Sequence, residues 1–253
     1  MDLFDLNGRR ALVTGASMGI GRTLARGLAQ AGASVVLNAR NAERLDTAVT
    51  ELRDEGFDAT ALPFDVSDPA AARTAIDGFE AATGPLDILV NNAGMQHRAP
   101  LEEFPTETFE RLMRTNLGSA FYVGQAAARH MIPRGKGRII NIASAMARMA
   151  RPGITPYGAS KGAIVNLTAG MATEWARHGL TCNAIAPGYF DTPLNAALVA
   201  DPKFTDWLVD RTPAGRWGRL EELVGACVFL ASDAASFVNG HVLYVDGGFT
   251  ISA

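Results

Sequence analysis

The sequence predicts an α/β fold: one doubly wound parallel sheet of about seven strands, flanked by helices on both faces, in a single domain over residues 1–253. Three observations carry that reading. Short apolar runs alternate with segments long enough for crossover helices along the whole chain. The runs are nearly continuous in apolarity rather than alternating, as strands buried on both faces must be. No Pro/Gly/Ser-rich linker, internal repeat or charge block divides the chain.

The first strand is placed at Arg10–Thr14 and the first helix at Gly19–Ala31, with Gly32 where a left-handed cap is needed. Strands at Ala33–Asn38 and Ala59–Phe64 enclose a helix over Ala42–Glu55. Asp68 before Pro69 reads as an N-cap followed by proline in the first turn, opening a helix over Pro69–Thr83. Asp87–Val90 and Arg138–Ile142 are strands joined by one long helix, Thr106–Met131. Thr155 before Pro156 repeats the cap-and-proline signal for a helix over Pro156–His178, closed by Gly179. Leu180–Ala186, a helix over Glu221–Ala231 and His241–Val245 complete the series.

Composition excludes several classes of function. With 48% hydrophobic residues the chain can build a substantial core, and disorder does not describe it. A net charge of −3 offers nothing to neutralise a nucleic acid backbone. Cys182 and Cys227 lie far apart without a CxxC, which excludes a disulfide scaffold and a thiolate zinc site and fits a reducing cytosol. His97, His130, His178 and His241 form no ligand-spaced pair and HExxH is absent, so no metal is expected. No apolar run reaches the length of a membrane span, and the first residues carry charges where a signal peptide is apolar. The expectation is a cytoplasmic protein with no membrane and no nucleic acid partner.

Directly after the first strand, Thr14-Gly15-Ala16-Ser17-Met18-Gly19-Ile20-Gly21 leads into a helix. Glycines here permit a tight turn, close backbone approach to a pyrophosphate, and close packing of helix on strand, while the helix N-terminus favours an anion. The TGxxxGxG spacing resembles that of the short-chain dehydrogenase/reductase family, a group with the Rossmann-type fold. Further landmarks follow in family order: Asn91-Asn92-Ala93-Gly94 after the fourth strand, Asn116 in the next helix, and Ser144 after the fifth. Tyr157-Gly158-Ala159-Ser160-Lys161 then gives YxxxK, and Pro187-Gly188 follows the sixth strand with Thr192 beyond. The resemblance implies a nicotinamide dinucleotide held by Gly15, Ser17, Met18, Gly19, Ile20 and Gly21 at its phosphates. It implies Asp65 and Val66 at the adenine, although Asp65 reads equally as a loop acid ahead of the Asp68 cap. It places Asn91, Ala93, Gly94, Tyr157, Lys161, Pro187, Gly188, Phe190 and Thr192 along the remainder, Thr192 anchoring the carboxamide.

The end of the second strand selects between NAD and NADP. An acid there binds the ribose hydroxyls of NAD and repels a 2′-phosphate. The sequence has Ala39 at that position and then Arg40, whose planar guanidinium can bind a phosphate bidentately. NADP is the expected cofactor.

Tyr157 and Lys161 are four apart at a helix start and share one face. An ammonium about 5–6 Å from a phenol, at an effective dielectric near 20, favours the phenolate by about 3 kcal/mol. That is roughly two pKa units, so Tyr157 is expected to serve as an acid/base near neutral pH. The family resemblance adds a serine on the substrate oxygen (here Ser144), a lysine on the nicotinamide ribose, and an asparagine holding a relay water (here Asn116). Ser144 lacks the flanking glycines of a GxSxG elbow, which excludes that kind of hydrolase. The implied reaction is reversible hydride transfer to a substrate carbonyl.

Ligands of open parallel sheets bind beyond the carboxyl ends of the strands, which points to loops within 95–101, 145–155 and 189–218. Arg98 is expected to grip a substrate carboxylate. Arg148 and Arg151 read equally as substrate cations, solvated loop charges or subunit contacts. GMQHRAPLEEFP, PGYFDTPLN and ALVADPKFTDWLVDRTPAGRWG resemble the sugar-acid dehydrogenases of the family, implying a small polyhydroxy acid as substrate. The alternatives are another reductase of the family, acting on acyl carrier-protein thioesters or sugar alcohols, and more remotely a non-catalytic NADP-binding sensor. The resemblance also implies a homotetramer. Ala126, Ala127, Gly162, Ala163 and Gly170 permit close helix packing either within or between subunits.

Overall fold

In the computed structural model, which describes residues 3–252, the apolar runs become seven strands. These are β1 (Arg10–Val13), β2 (Ser34–Leu37), β3 (Ala59–Ala61), β4 (Ile88–Asn91), β5 (Gly137–Ile142), β6 (Leu180–Pro187) and β7 (Val242–Val245). They pair in parallel in the order β3-β2-β1-β4-β5-β6-β7. The crossover helices are α1 (Gly19–Gln30), α2 (Ala42–Asp54), α3 (Pro69–Ala82), α4 (Thr106–Met113), α5 (Ser119–Arg134) and α6 (Thr155–Trp175). Three more follow: α7 (Ala196–Val199), α8 (Pro202–Arg211) and α9 (Val224–Ala231).

The strand alternation assigns each side chain to one of two cores. Ala11 and Val13 of β1 pack with Leu24 and Leu28 of α1, Leu45 of α2 and Cys227 of α9. Leu12 faces the other way, toward Ile76 of α3, Val123 of α5 and Met171 of α6. Each fully buried leucine contributes about 2 kcal/mol by removal from water. Because β1 neighbours both β2 and β4, the connections leaving these strands diverge and open a crevice at their carboxyl ends.

Four expectations need correction. The single helix over Thr106–Met131 is two, separated by a π-helical turn at Arg114–Gly118, and α5 runs past Pro133 to Gly135 at φ +67°. Thr155 is not a cap: it is the first helical residue, and Ile154 holds the N-cap position with no side-chain bond. Asp68 does cap, its Oδ1 accepting from Ala70 N at 2.9 Å and Ala71 N at 3.1 Å. β3 stops at Ala61 rather than Phe64, because past Leu37 the Asn38 side chain, donating to Leu62 O at 3.1 Å and Phe64 O at 3.0 Å, takes the place of the backbone ladder. The stretch 189–218 is not simply loop, since it carries α7 and α8. Asp201 caps α8 through Lys203 N at 3.0 Å, the same Asp-Pro signal that opens α3.

Candidate active site

The crevice holds a cavity of about 930 Å³, large enough for a cofactor-sized ligand. At one wall the chain turns sharply through Gly15, at φ +63°, where a Cβ would lie 2.9 Å from Ala93 Cα. Gly21 permits an equally close approach, since a Cβ there would overlap Asn92 Nδ2 and lie 2.5 Å from Gly15 O. Asn92 supplies the clip that sequence reasoning missed: its amide donates to Thr14 O at 2.9 Å and Gly15 O at 3.2 Å. Thr14 Oγ1 answers by accepting from Asn92 N at 3.0 Å and Ala93 N at 3.1 Å. The doubled Asn-Asn after β4 was the available signal. Above the loop, α1 begins at Met18 with no side-chain cap and no acid in its first turn, so its N–H groups and partial positive charge suit a phosphate. Ser17, Met18, Gly19 and Ile20 line the cavity with Gly15; Gly21 lies behind it and keeps helix and strand together.

At the end of β2, buried Ala39 and exposed Arg40 both line the cavity, and no acid stands there. Arg44, one turn on in α2, joins them. Asp65 and Val66 form the facing wall. Partial burial works against the Asp65 carboxylate, but bonds from Ser67 N at 2.8 Å and Ser67 Oγ at 2.7 Å, with Arg40 nearby, hold its pKa below the ordinary value. Asp65 is thus both a turn-forming acid and a wall residue.

Ser144, Tyr157 and Lys161 converge on the cavity floor. Ser144 caps the short turn at Ala145–Ala147, accepting from Met146 N at 3.1 Å, and lies near enough to the Tyr157 phenol to favour its charged form. Lys161 is 5% exposed; its Nζ donates to Ile142 O at 2.7 Å and sits 5.7 Å from the Tyr157 ring centre. The proximity is as expected, but the direction of the phenol's shift is not. Burial pushes the Tyr157 pKa up, and only Ser144 pulls it back. Burial also lowers Lys161 to about 8. Taking a phenolate and an ammonium out of water costs each of them more than a distant, carbonyl-bound partner returns.

Besides Gly21, two expected site residues stand outside the cavity. Asn91 is a buried stitch, its amide donating to Asn141 Oδ1 at 2.9 Å, while Asn141 donates to Thr168 Oγ1 at 2.9 Å. Asn116 lies in the π-helical turn, 2% exposed. Its Oδ1 accepts from Met95 N at 2.7 Å, and its Nδ2 donates to Met95 O at 2.9 Å and Ser160 Oγ at 3.0 Å. Ser160 in turn donates to Tyr157 O at 2.7 Å. Both amide donors of Asn116 are therefore spent on holding the β4 loop to the turn that carries Tyr157.

Pro187, Gly188, Phe190 and Thr192 line the cavity beyond β6, with Ala93 and Gly94 opposite. Gln96, Arg98 and Arg151 reach the mouth, whereas exposed Arg148 and His97, edge-on to Phe104 at 5.2 Å, do not line it. A cluster of Met146, Ile154, Leu198, Phe204, Leu208 and Phe249 roofs this end. Among the described residues no set of three or more His, Cys, Asp or Glu gathers to hold a metal, and no helix is long and apolar enough to cross a membrane.

A glycine loop clipped beneath an uncapped helix, with a serine, a tyrosine and a lysine on the floor of the same cavity, defines a class. A family model described as enoyl-(acyl carrier protein) reductase matches residues 15–250, and the chain belongs to the short-chain dehydrogenase/reductase family. Its relatives narrow the class further. Gluconate 5-dehydrogenase of Gluconobacter oxydans (strain 621H) is 61% identical over 99% of this chain and 98% of its own. 5-Keto-D-gluconate 5-reductase of Escherichia coli (strain K12) is 49% identical over 99% of each. The crystal structure of a gluconate 5-dehydrogenase from Burkholderia cenocepacia J2315, in complex with NADP and tartrate, superposes with a TM-score of 0.98. It is 57% identical and covers 100% of this chain and 99% of that one.

Proposed function

We propose that this protein is an NADP-dependent oxidoreductase interconverting 5-keto-D-gluconate and D-gluconate. The observation that carries the reading is the convergence of Ser144, Tyr157 and Lys161 on one cavity with the glycine loop at its other end. The names of the two curated relatives support the substrate.

The residues present fit the cofactor. The open N–H groups of α1 suit the pyrophosphate, and Ala39 with Arg40 and Arg44 suits a 2′-phosphate better than a bare ribose. Bound there, the nicotinamide supplies or accepts the hydride. Pro187, Gly188, Phe190 and Thr192 would form the slot for its ring end, and Lys161 would hold its ribose. Ser144 orients the substrate oxygen by hydrogen bond and keeps the Tyr157 hydroxyl in place. Tyr157, its pKa raised by burial, holds its proton at neutral pH and donates it to the carbonyl oxygen in the reducing direction. Lys161, charged below pH of about 8, offsets the phenolate left behind. Arg98 at the mouth would pair with the substrate carboxylate, the loops within 95–101, 145–155 and 189–218 forming the substrate end.

Homotetrameric assembly through α5 and α6 belongs to the same proposal. Ala126 and Ala127 are used up inside the chain, but Phe121 and Gly170 are exposed on these helices. A cytoplasmic setting also belongs to it, supported by two buried, free cysteines.

The test is a panel of keto acids, ketoses and keto esters assayed with NADPH and NADH. Oxidation of NADPH by 5-keto-D-gluconate is expected. Tyr157→Phe should lower kcat by about a thousandfold with NADPH binding intact. Wild-type turnover by that variant, or no reaction with any sugar acid, would overturn the proposal.

A further inference from the structure

Arg151, between the turn after β5 and the start of α6, is held in an unusual way. Its guanidinium lies 4.4 Å from the Phe204 ring centre and 5.7 Å from that of Trp207, both on α8. Its Nη1 donates to Tyr189 Oη at 3.1 Å. Stacking and this one bond occupy a flat face and one edge of the guanidinium, leaving other N–H groups of the fork unspent. Arg98 shares the same end of the cavity, where partial burial and, after it, the charge of Arg151 lower its pKa. Neither arginine has a carboxylate partner among the described residues. Two cations directed at one cavity without an acid repel each other, and an anion between them removes that cost. The flat, forked geometry suits a carboxylate.

We propose that Arg151 is a second carboxylate-binding residue of the substrate cavity and that, being clamped by α8, it ties the grip on the acid end of the substrate to the position of that helix. The inference deepens the sugar-acid reading and rests on it for the identity of the substrate. It does not rest on it for the chemistry: any small hydroxy acid reaching the cavity mouth would meet the same pair. The phenyl and indole rings fix Arg151 with little side-chain entropy left to lose on binding, which is what a specificity residue needs.

The experiment compares wild type, Arg151→Gln and Arg151→Lys by two readouts. The first is steady-state reduction of 5-keto-D-gluconate by NADPH. The second is calorimetric binding of tartrate to the NADPH-loaded enzyme, with NADPH affinity as a check on the fold. Arg151→Gln should raise the KM for the keto acid about thirtyfold, change kcat less than threefold, and weaken tartrate binding by a similar factor. Arg151→Lys, which keeps the charge but loses the stack, should recover part of both. An unchanged KM and tartrate affinity in Arg151→Gln would overturn the proposal. So would losses that lysine does not relieve at all, which would mark a purely structural role, or wild type that binds no tartrate. Wild type inert toward 5-keto-D-gluconate but binding tartrate through Arg151 would remove the substrate assignment and leave the anion site standing.

Discussion

Lys161 is costly to the fold that contains it, and replacing it tests the electrostatics of the site without any substrate. Burial lowers its pKa from 10.5 to about 8. A depressed lysine binds its proton more weakly in the folded than in the unfolded chain. Between pH of about 8 and 10.5 the unfolded state therefore holds more protons, and stability rises with pH. Below that window the penalty is complete, about 3 kcal/mol at 1.36 kcal/mol per unit. Lys161→Met removes the charge but keeps the chain length, and it forfeits the bond to Ile142 O, worth about 1 kcal/mol. The net gain is about 2 kcal/mol at pH 7, or roughly 4–8 °C in Tm for a chain of this size. The assay is thermal unfolding without cofactor at pH 7 and pH 9.5. The advantage of the variant should be large at the lower pH and mostly gone at the higher, while its turnover is lost. A variant that melts several degrees below wild type at pH 7, or an advantage that grows with pH, would refute the reasoning.

Two other outcomes follow from the cofactor end. Arg40→Ala should raise the KM for NADPH about tenfold and leave that for NADH within twofold, since only the former has a phosphate for the guanidinium; equal effects on both would assign Arg40 to the surface. Gly21→Ala forces a methyl group onto Asn92 Nδ2 and Gly15 O. It should weaken NADPH binding at least tenfold and lower Tm, measured by calorimetry and thermal unfolding, whereas a neutral result would mean the clip is dispensable.

What the sequence disclosed follows from the range of the forces involved. Parallel strands declare themselves because both faces are buried, and a glycine loop does so because only glycine turns at Gly15 and admits the approach at Gly21. α8 is equally declared by Asp201-Pro202, within a stretch whose place beyond the end of β6 points to substrate loops. The π-helical turn at Arg114–Gly118 was not legible: its residues fit an α-helix, and the extra residue is held by bonds from Asn116 to Met95 and Ser160, far away along the chain. For Arg151 the sequence leaves substrate cation, loop charge and subunit contact open, because its stacking depends on two rings of α8 more than fifty residues later. The Tyr157–Lys161 spacing was correct, yet the sign of the phenol's shift was not, because pairwise attraction can be computed from spacing and loss of water cannot.

The π-helical turn also sets a phase. One surplus residue rotates everything after it by about 100° relative to an uninterrupted helix. Val123 and Ala127 face the sheet and Phe121 faces outward only because α5 starts out of step with α4. Deleting a single residue there would let the turn close as ordinary α-helix and leave the phase of α5 unchanged, at the cost of the Asn116 anchor. Straightening the turn without a deletion would instead rotate the inner stripe of α5 toward solvent, so the orientation of the outer surface depends on the same surplus residue that anchors the site.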